Sequence, residues 1–268
     1  MSIGLARILR RDQIWFAEKT GTTYSEKAKE VPGQLETFYI IPMQLKNFVF
    51  NPFGVNCFVL SNERGEAILI DPSVSNPRER DTLAKYISEN NLTVKHLLNT
   101  HLHLDHVLGN AFVERTYGVK AQAHPEDFFL LEIQEEQSEL LGLPLEEIVP
   151  PPGDYIAEGD TVSVEGIELQ VLHIAGHSPG GVAFYCNSPQ EVKVSGQPPQ
   201  KVPPLLFSGD ILFAGGMGRT DLLGGDESAL LWGIKKKLLS LPKETWVFPG
   251  HGPSTTIGDE RENFKIFQ

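Results

Sequence analysis

The chain has 268 residues, 40% of them apolar and 22% charged, with a formal net charge of −12. That composition can bury a sizeable core, which excludes intrinsic disorder, and the length leaves one or two domains open. The acidic balance offers no footprint for a phosphate backbone, and no apolar run reaches the ~20 residues that span a bilayer, so neither nucleic acid nor membrane is an expected partner.

Residues 1–37 are polar and poorly periodic, with a Pro32-Gly33 turn signal, and read as an N-terminal extension before one domain over 38–268. The opening MSIGLARILRRDQIW carries arginines but no apolar stretch ending in a small-residue cleavage site. A secretory leader is therefore not expected, and the cytoplasm is the default location. From Phe38 the short runs FYIIPM, NFVF, VNCFVLS and EAILID predict strands, punctuated by Asn-Pro, Phe-Gly and Arg-Gly turns. Leu83, Ala84, Tyr86 and Ile87 stand at helical spacing and predict a helix over 78–90. HLLNT predicts the next strand, residues 107–117 a second helix, and the stretch from Pro125 to Gly142 a third, followed by the loop at Pro150 to Gly153.

DTVSVEGIELQVLHI reads as a hairpin about Glu165-Gly166, and GVAFYC as a further strand. The Pro-, Gly- and Gln-rich stretch over 187–204 reads as a surface excursion between strands. LLFSGD predicts a strand, residues 226–241 a helix with Asp226 as its N-cap, and TWVFPGHG a last strand ending in a loop. Cys57 and Cys186 lie in apolar strand-like runs far from any Cys-x-x-Cys pattern and are expected to be buried thiols. Strands interspersed with helices predict an α/β layered fold.

The segment Thr-His-Leu-His-Leu-Asp-His over 100–106 carries the most chemistry. It follows a strand and precedes a helix, and in extended chain residues two apart face the same side, which aims His101 and His103 at one point. Asp105 and His106, at the helix start, can turn to a neighbouring point. Three imidazoles and a carboxylate in so short a stretch suit a borderline metal such as zinc. Three further polar residues sit in Gly-flanked turns just after strands: His177 in AGHSPGG, Asp210 in FSGD and His251 in FPGHG. A neighbouring glycine lets the backbone approach closely and aim the side chain.

With these motifs in this order, residues 38 to 264 resemble the metallo-β-lactamase superfamily, and within it the glyoxalase II-like branch of thioester hydrolases. The resemblance implies an αββα sandwich of two mixed β-sheets flanked by helices, with metals in a groove at one edge of the sheets. It implies two divalent ions, zinc foremost with iron or manganese as alternatives. The first would be held by His101, His103 and His177, the second by Asp105, His106 and His251, with Asp210 bridging them. The activity implied is hydrolysis of an acyl thioester by a metal-bridging hydroxide. The flavodiiron branch has a carboxylate where this chain has His103, which points to hydrolysis over oxygen reduction.

The expected substrate is a small molecule. GGMGRTDLLGG, over 215–225, falls where glyoxalase II places a lysine and a tyrosine for glutathione; here Arg219 and Asp221 stand there, and Pro253 replaces a second tyrosine. Arg219 is the expected substrate anchor, unless it pairs internally with Asp221. The short stretch after His251 leaves no room for that family's helical C-terminal domain, which is expected to be missing. GMGRTD also resembles the persulfide dioxygenases, mono-iron oxidoreductases of the same fold. That makes a persulfide dioxygenase the first alternative, and a lactonase or other ester hydrolase the second. Asp71, in LIDPS, either braces the histidine loop, as an aspartate of the family does, or is a plain turn residue. His173 is expected to be hydrogen-bonded beneath the site, His96 and His124 to make local contacts, and Met43, Met217, Phe48, Phe50 and Phe53 to line core or groove.

Overall fold

The computed structural model describes residues 43–187 and 203–264, together with the backbone of three short strand segments, 13–15, 191–192 and 200–201. The β-branched runs form two mixed sheets. The first takes its strands in chain order: β1 (Gln13–Trp15), β2 (Gln44–Phe50), β3 (Val55–Ser61), β4 (Glu66–Ile70), β5 (Thr93–Leu98), β6 (Ala121–Ala123) and β7 (Asp154–Tyr155). Pairing is antiparallel through β4 and parallel from there to β7. The second sheet contains β8 (Thr161–Val164), β9 (Ile167–His173), β10 (Val182–Cys186), β13 (Leu205–Gly209), β16 (Trp246–Pro249) and β17 (Thr255–Thr256). Its order is β17-β16-β13-β10-β9-β8, with β13 and β16 parallel. Two small hairpins complete the strands: β11 (Glu191–Val192) with β12 (Gln200–Lys201), and β14 (Leu212–Phe213) with β15 (Gly216–Met217).

Alternation along each strand divides its side chains between two layers. Phe58, Leu60, Ile68, Ile70 and Leu98 of the first sheet meet Leu169, Val171, Phe184, Phe207 and Phe248 of the second in the central core. Val59, Leu69 and Leu97 point the other way. They pack beneath α1 (Pro77–Glu89) and α3 (Asn110–Tyr117), which contribute Leu83, Ile87 and Val113. On the far face, Ala183, Leu206 and Val247 lie under α6 (Glu227–Gly233), the π turn Ile234–Leu238 and α7 (Ile257–Phe264). The layers are therefore helix, sheet, sheet, helix, the expected αββα sandwich. β3 is buried along its whole length because helices cover one face and the second sheet the other.

The helices depart from the sequence expectation in continuity. The helix foreseen over 107–117 is two pieces, α2 (Leu104–Val107) and α3, broken at Leu108-Gly109. A β carbon on Gly109 would stand 1.9 Å from the Pro72 carbonyl oxygen, so the break is where two backbones touch. The stretch after Pro125 is a 3-10 turn (Pro125–Asp127), then α4 (Phe128–Glu132) and α5 (Gln134–Leu141). It breaks at Ile133 because the Gln134 side chain turns back to Leu131 O and to the Val149 backbone. The helix foreseen over 226–241 starts at Asp226, whose carboxylate accepts from Ala229 N, and gives way to the π turn after Gly233. Helix α7, β17 and the β14–β15 hairpin have no counterpart in the sequence reading.

Gln13–Trp15, inside the stretch read as an extension, pair with β2; most of the FYIIPM run lies outside the described residues. Cys57 and Cys186 are both buried thiols, and burial pushes the Cys57 pKa up. Among the described residues no helix is long and apolar enough to cross a membrane.

Candidate metal centre

Four strand ends meet at one edge of the sandwich. The loop after β5 brings His101, His103, Asp105 and His106; the turns after β9, β13 and β16 bring His177, Asp210 and His251. Backbone hydrogen bonds join the sheets there, from Val182 N to Thr100 O at 2.8 Å and from Asn56 N to Gly250 O at 2.7 Å. Asn56 adds its side-chain amide, which donates to Pro249 O and Gly252 O.

These loops bring all seven side chains together. They form three overlapping groups, His101/His103/His177, His101/His106/Asp210 and Asp105/His106/His251, each with donor atoms within 4.8 Å of one another. Asp210 joins the other two, one oxygen 3.4 Å from His106 Nε2 and the other 3.6 Å from His177 Nε2 and 3.4 Å from His251 Nε2.

What lies behind the imidazoles fixes which nitrogen faces inward. His177 Nδ1 donates to Arg219 O at 2.8 Å and His251 Nδ1 to Phe53 O at 3.0 Å; a carbonyl only accepts, so each Nδ1 carries the proton. Asp71 accepts a hydrogen bond from His106 Nδ1 at 3.1 Å. The Thr100 hydroxyl donates to Asp71 at 2.6 Å, leaving its oxygen to accept from His101 Nδ1 at 3.1 Å. The Nε2 atoms of His101, His106, His177 and His251 are thus the ones turned into the cluster. His101 Nε2 and Asp210 Oδ1 are buried there without a hydrogen-bond partner among the described residues. His106 Nε2 and His251 Nε2 face each other at 3.3 Å, each with its other nitrogen committed elsewhere. Convergent lone pairs backed by carbonyls and a carboxylate are the donor arrangement that a divalent cation requires.

Protonation follows position. Burial, then the neighbouring imidazoles, drives His101 well below the usual histidine range and takes His103 down to about 3. Burial also opposes charge on His106 and His251, yet Asp105 and Asp210 outweigh it, lifting His106 well above its usual range and His251 to about 9. Burial likewise works against the Asp210 carboxylate, but His106, His251 and His101 hold it well below the usual range. Without a cation, protonation is favoured at His106 and His251 and disfavoured at His101 and His103.

The other candidates fall outside this cluster. Asp71 is the brace rather than a plain turn residue: left-handed at φ 48° and buried, it also accepts Thr100 N at 2.8 Å. His173 bonds Pro179 O at 2.8 Å, and His96 bridges Gln122 and Ser163 O. His124, Glu126 and His173 form a fourth group of potential donors. The two rings there stack at 4.0 Å and 11°, so their lone pairs run in parallel planes instead of meeting at one ion. Arg219 is exposed and forks onto Asp221 with two 2.7 Å bonds, holding that carboxyl at about 2. Phe53 is 43% exposed and belongs to no core, though its carbonyl orients His251. Two polar residues had no chemical signal in the sequence. Asn51 stood only as half of an Asn-Pro turn, and Asp127 as part of a helix start.

The fold and this cluster define the class. A family model for the metallo-beta-lactamase superfamily matches residues 50–190, and the chain belongs to that superfamily, whose members are mostly metal-dependent hydrolases. Among particular relatives, the chain is 34% identical over 222 residues to hydroxyacylglutathione hydrolase GloC of Haemophilus influenzae, covering 82% of this chain and 96% of that one. Among solved structures it resembles the B3 metallo-beta-lactamase BLEG-1, with 31% identity, a TM-score of 0.69, and coverage of 81% and 96%. It resembles equally TTHA1623 in a di-iron-bound form, with 35% identity, a TM-score of 0.66, and coverage of 81% and 97%. Divalent metals are implied by the fold together with these histidine and aspartate groups.

Proposed function

We propose that the protein is a dinuclear metal-dependent hydrolase of acyl thioesters. The observation that carries this reading is the set of four inward-turned Nε2 atoms and two acidic side chains, each imidazole backed by its own acceptor. His101, His103 and His177 hold one cation, Asp105, His106 and His251 the other, and Asp210 serves both. Zinc suits the mixed nitrogen and oxygen donors, and the di-iron relative makes iron the ion to compare with it. When bound, such a pair polarises an acyl carbonyl and activates water as the nucleophile near neutral pH.

The chain's own residues then act as follows. Asp71, Thr100 and the carbonyls of Phe53 and Arg219 keep the ring nitrogens aimed inward. Asp210 keeps its negative charge between the two halves. A thiolate leaving group needs little protonation, so no further acid is required, and none of the described side chains at the cluster is placed as one. The GloC relative supports a thioester of glutathione as the first compound to try. Arg219 is the anchor proposed for its carboxylates, which compete with Asp221 for the guanidinium fork.

The deciding experiment measures metal content and two activities on one preparation. Two ions per chain, with hydroxyacylglutathione hydrolysis abolished by a chelator and restored by zinc or iron, is the expected result. One iron per chain, oxygen uptake with a persulfide and no thioester hydrolysis would overturn the reading.

A further inference from the structure

Two polar side chains outside the cluster hold its loops in place: Asp127 grips two of them, and Asn51 grips one together with the turn whose carbonyl orients His251. Asp127, at the end of the 3-10 turn after β6, is fully buried. Its Oδ2 accepts from Leu102 N at 3.1 Å and from the Ser178 hydroxyl at 2.8 Å, and its Oδ1 from Gly180 N at 2.6 Å. Leu102 lies between His101 and His103, and Ser178 follows His177, so one carboxylate ties together the two loops that supply the first group. A β carbon on Gly180 would come within 2.8 Å of Asp127, which shows how closely the loop is pressed to it. The grip needs an ionised carboxylate, the one small side chain that accepts three hydrogen bonds and donates none.

Asn51 does the equivalent on the other side. It holds a left-handed φ of 52° at the start of the turn into β3. Its Oδ1 accepts from Phe53 N at 2.9 Å, and its Nδ2 donates to Asp105 O at 2.8 Å and Ser73 O at 3.2 Å. The carboxamide therefore shapes the turn whose Phe53 carbonyl orients His251, and in the same contact fastens the backbone of Asp105. The shared loop over 101–106 is gripped near each end by a different brace.

We infer that Asp127 and Asn51 are separate positioning residues for the two halves of the centre, Asp127 for His101, His103 and His177 and Asn51 for Asp105, His106 and His251. Each half can then be loosened without the other. This rests on the dinuclear reading above. Residues that orient metal ligands from behind commonly change metal affinity by about 10–100-fold when altered.

The test uses cobalt(II) as a spectroscopic probe, with stepwise affinities from chelator competition and bound metal counted directly. Asp127→Asn keeps the size of the side chain and turns an acceptor into a donor. Asn51→Gly removes the carboxamide while still allowing the left-handed backbone. Wild type should bind two ions, and each variant should keep one at wild-type affinity while the other weakens about 10–100-fold. Double variants identify the half affected. Asp127→Asn with His251→Ala should bind its one remaining ion about 10–100-fold more weakly than His251→Ala alone, whereas Asp127→Asn with His177→Ala should bind one ion as well as His177→Ala alone. Asn51→Gly should show the mirror pattern. Should Asp127→Asn fail to fold, Ser178→Ala, which removes one of the three donors, should weaken the same half by less. Equal weakening of both ions in every variant, or none in any, would overturn the inference. A wild-type chain that binds only one ion would overturn the dinuclear reading itself.

Discussion

At the scale of single residues, Asp210 has the most to explain, because its two oxygens face both halves of the cluster. On the proposed dinuclear reading, Asp210→Asn keeps the shape and removes the charge between two dications, which would then repel. The expected result is loss of one bound ion and a fall in thioester turnover of at least ~10²-fold; full metal content with a near-native rate would remove Asp210 from between the metals. Arg219 poses a different question, since its guanidinium is already engaged by Asp221. Arg219→Ala should raise KM for a glutathione thioester more than for a neutral thioester of the same acyl group, with kcat little changed. Asp221→Ala should lower KM for the glutathione compound by releasing the fork. If both substrates respond equally to each change, the pair only shapes the loop.

At the scale of elements, close approach of backbones matters more than propensity. A β carbon on Gly250 would lie 2.3 Å from Asp210 Oδ1 and 2.7 Å from His106 Cε1. Gly250→Ala should therefore displace ligands while leaving the sheets intact, giving a native far-ultraviolet spectrum with reduced metal content. Phe58, whose ring lies 5.1 Å from that of Phe207 and 5.9 Å from that of Phe248, makes the opposite case. Phe58→Ala should cost ~3–5 kcal/mol of stability through the cavity it leaves, measurable by urea unfolding, with metal stoichiometry unchanged. The same contrast explains what the sequence made legible. The strands from Asn47 to Ile70 and the three Gly-flanked turns were readable because short β-branched and aromatic runs bounded by turn residues, and glycine placement, are local properties. The breaks at Gly109 and Ile133 were not, since each depends on a partner distant in the chain, Pro72 in one case and Val149 in the other. The seven cluster residues could be listed from motifs, but Asp127 and Asn51 act through backbone amides and carbonyls, which leave no compositional trace. Helix α7 was hidden by its acidic content. Its buried apolar residues, Ile257 and Phe264, stand at its two ends, and the buried Glu260 between them accepts from the Thr255 hydroxyl and Gly215 N.

For the molecule as a whole, the protonation pattern sets a pH dependence whose sign can be worked out. His101 and His103 are depressed below 6.5, so acidification protonates the unfolded chain first and costs folded stability as pH falls below that value. His106 and His251 are raised, so their contribution is full below 6.5 and is lost as pH rises, for His251 through about 9. The metal-stripped protein should therefore show its highest melting temperature near pH 6.5 and lose stability on both sides. Metal binding reverses the alkaline limb, because cations compete with the protons on His106 and His251. One of the two stepwise affinities should rise between pH 6.5 and 9 more steeply than the other; parallel slopes would contradict the assignment of protons to His106 and His251.

The position of the cluster at the joined edge has a mechanical consequence. His101, His103, Asp105 and His106 extend from the first sheet, and His177, Asp210 and His251 from the second, so bound cations act as rivets through both leaves of the sandwich. Prising the leaves apart would first have to break ligand bonds, whereas the stripped chain resists through its core and through hydrogen bonds between the leaves such as those at Thr100, Asn56 and Asp127. Ions held at a thousand times their dissociation constant would add about 4 kcal/mol each to resistance against unfolding. Proteolysis should then be governed by the metal supply: a protease that digests the stripped chain within minutes should leave the loaded one intact over the same interval.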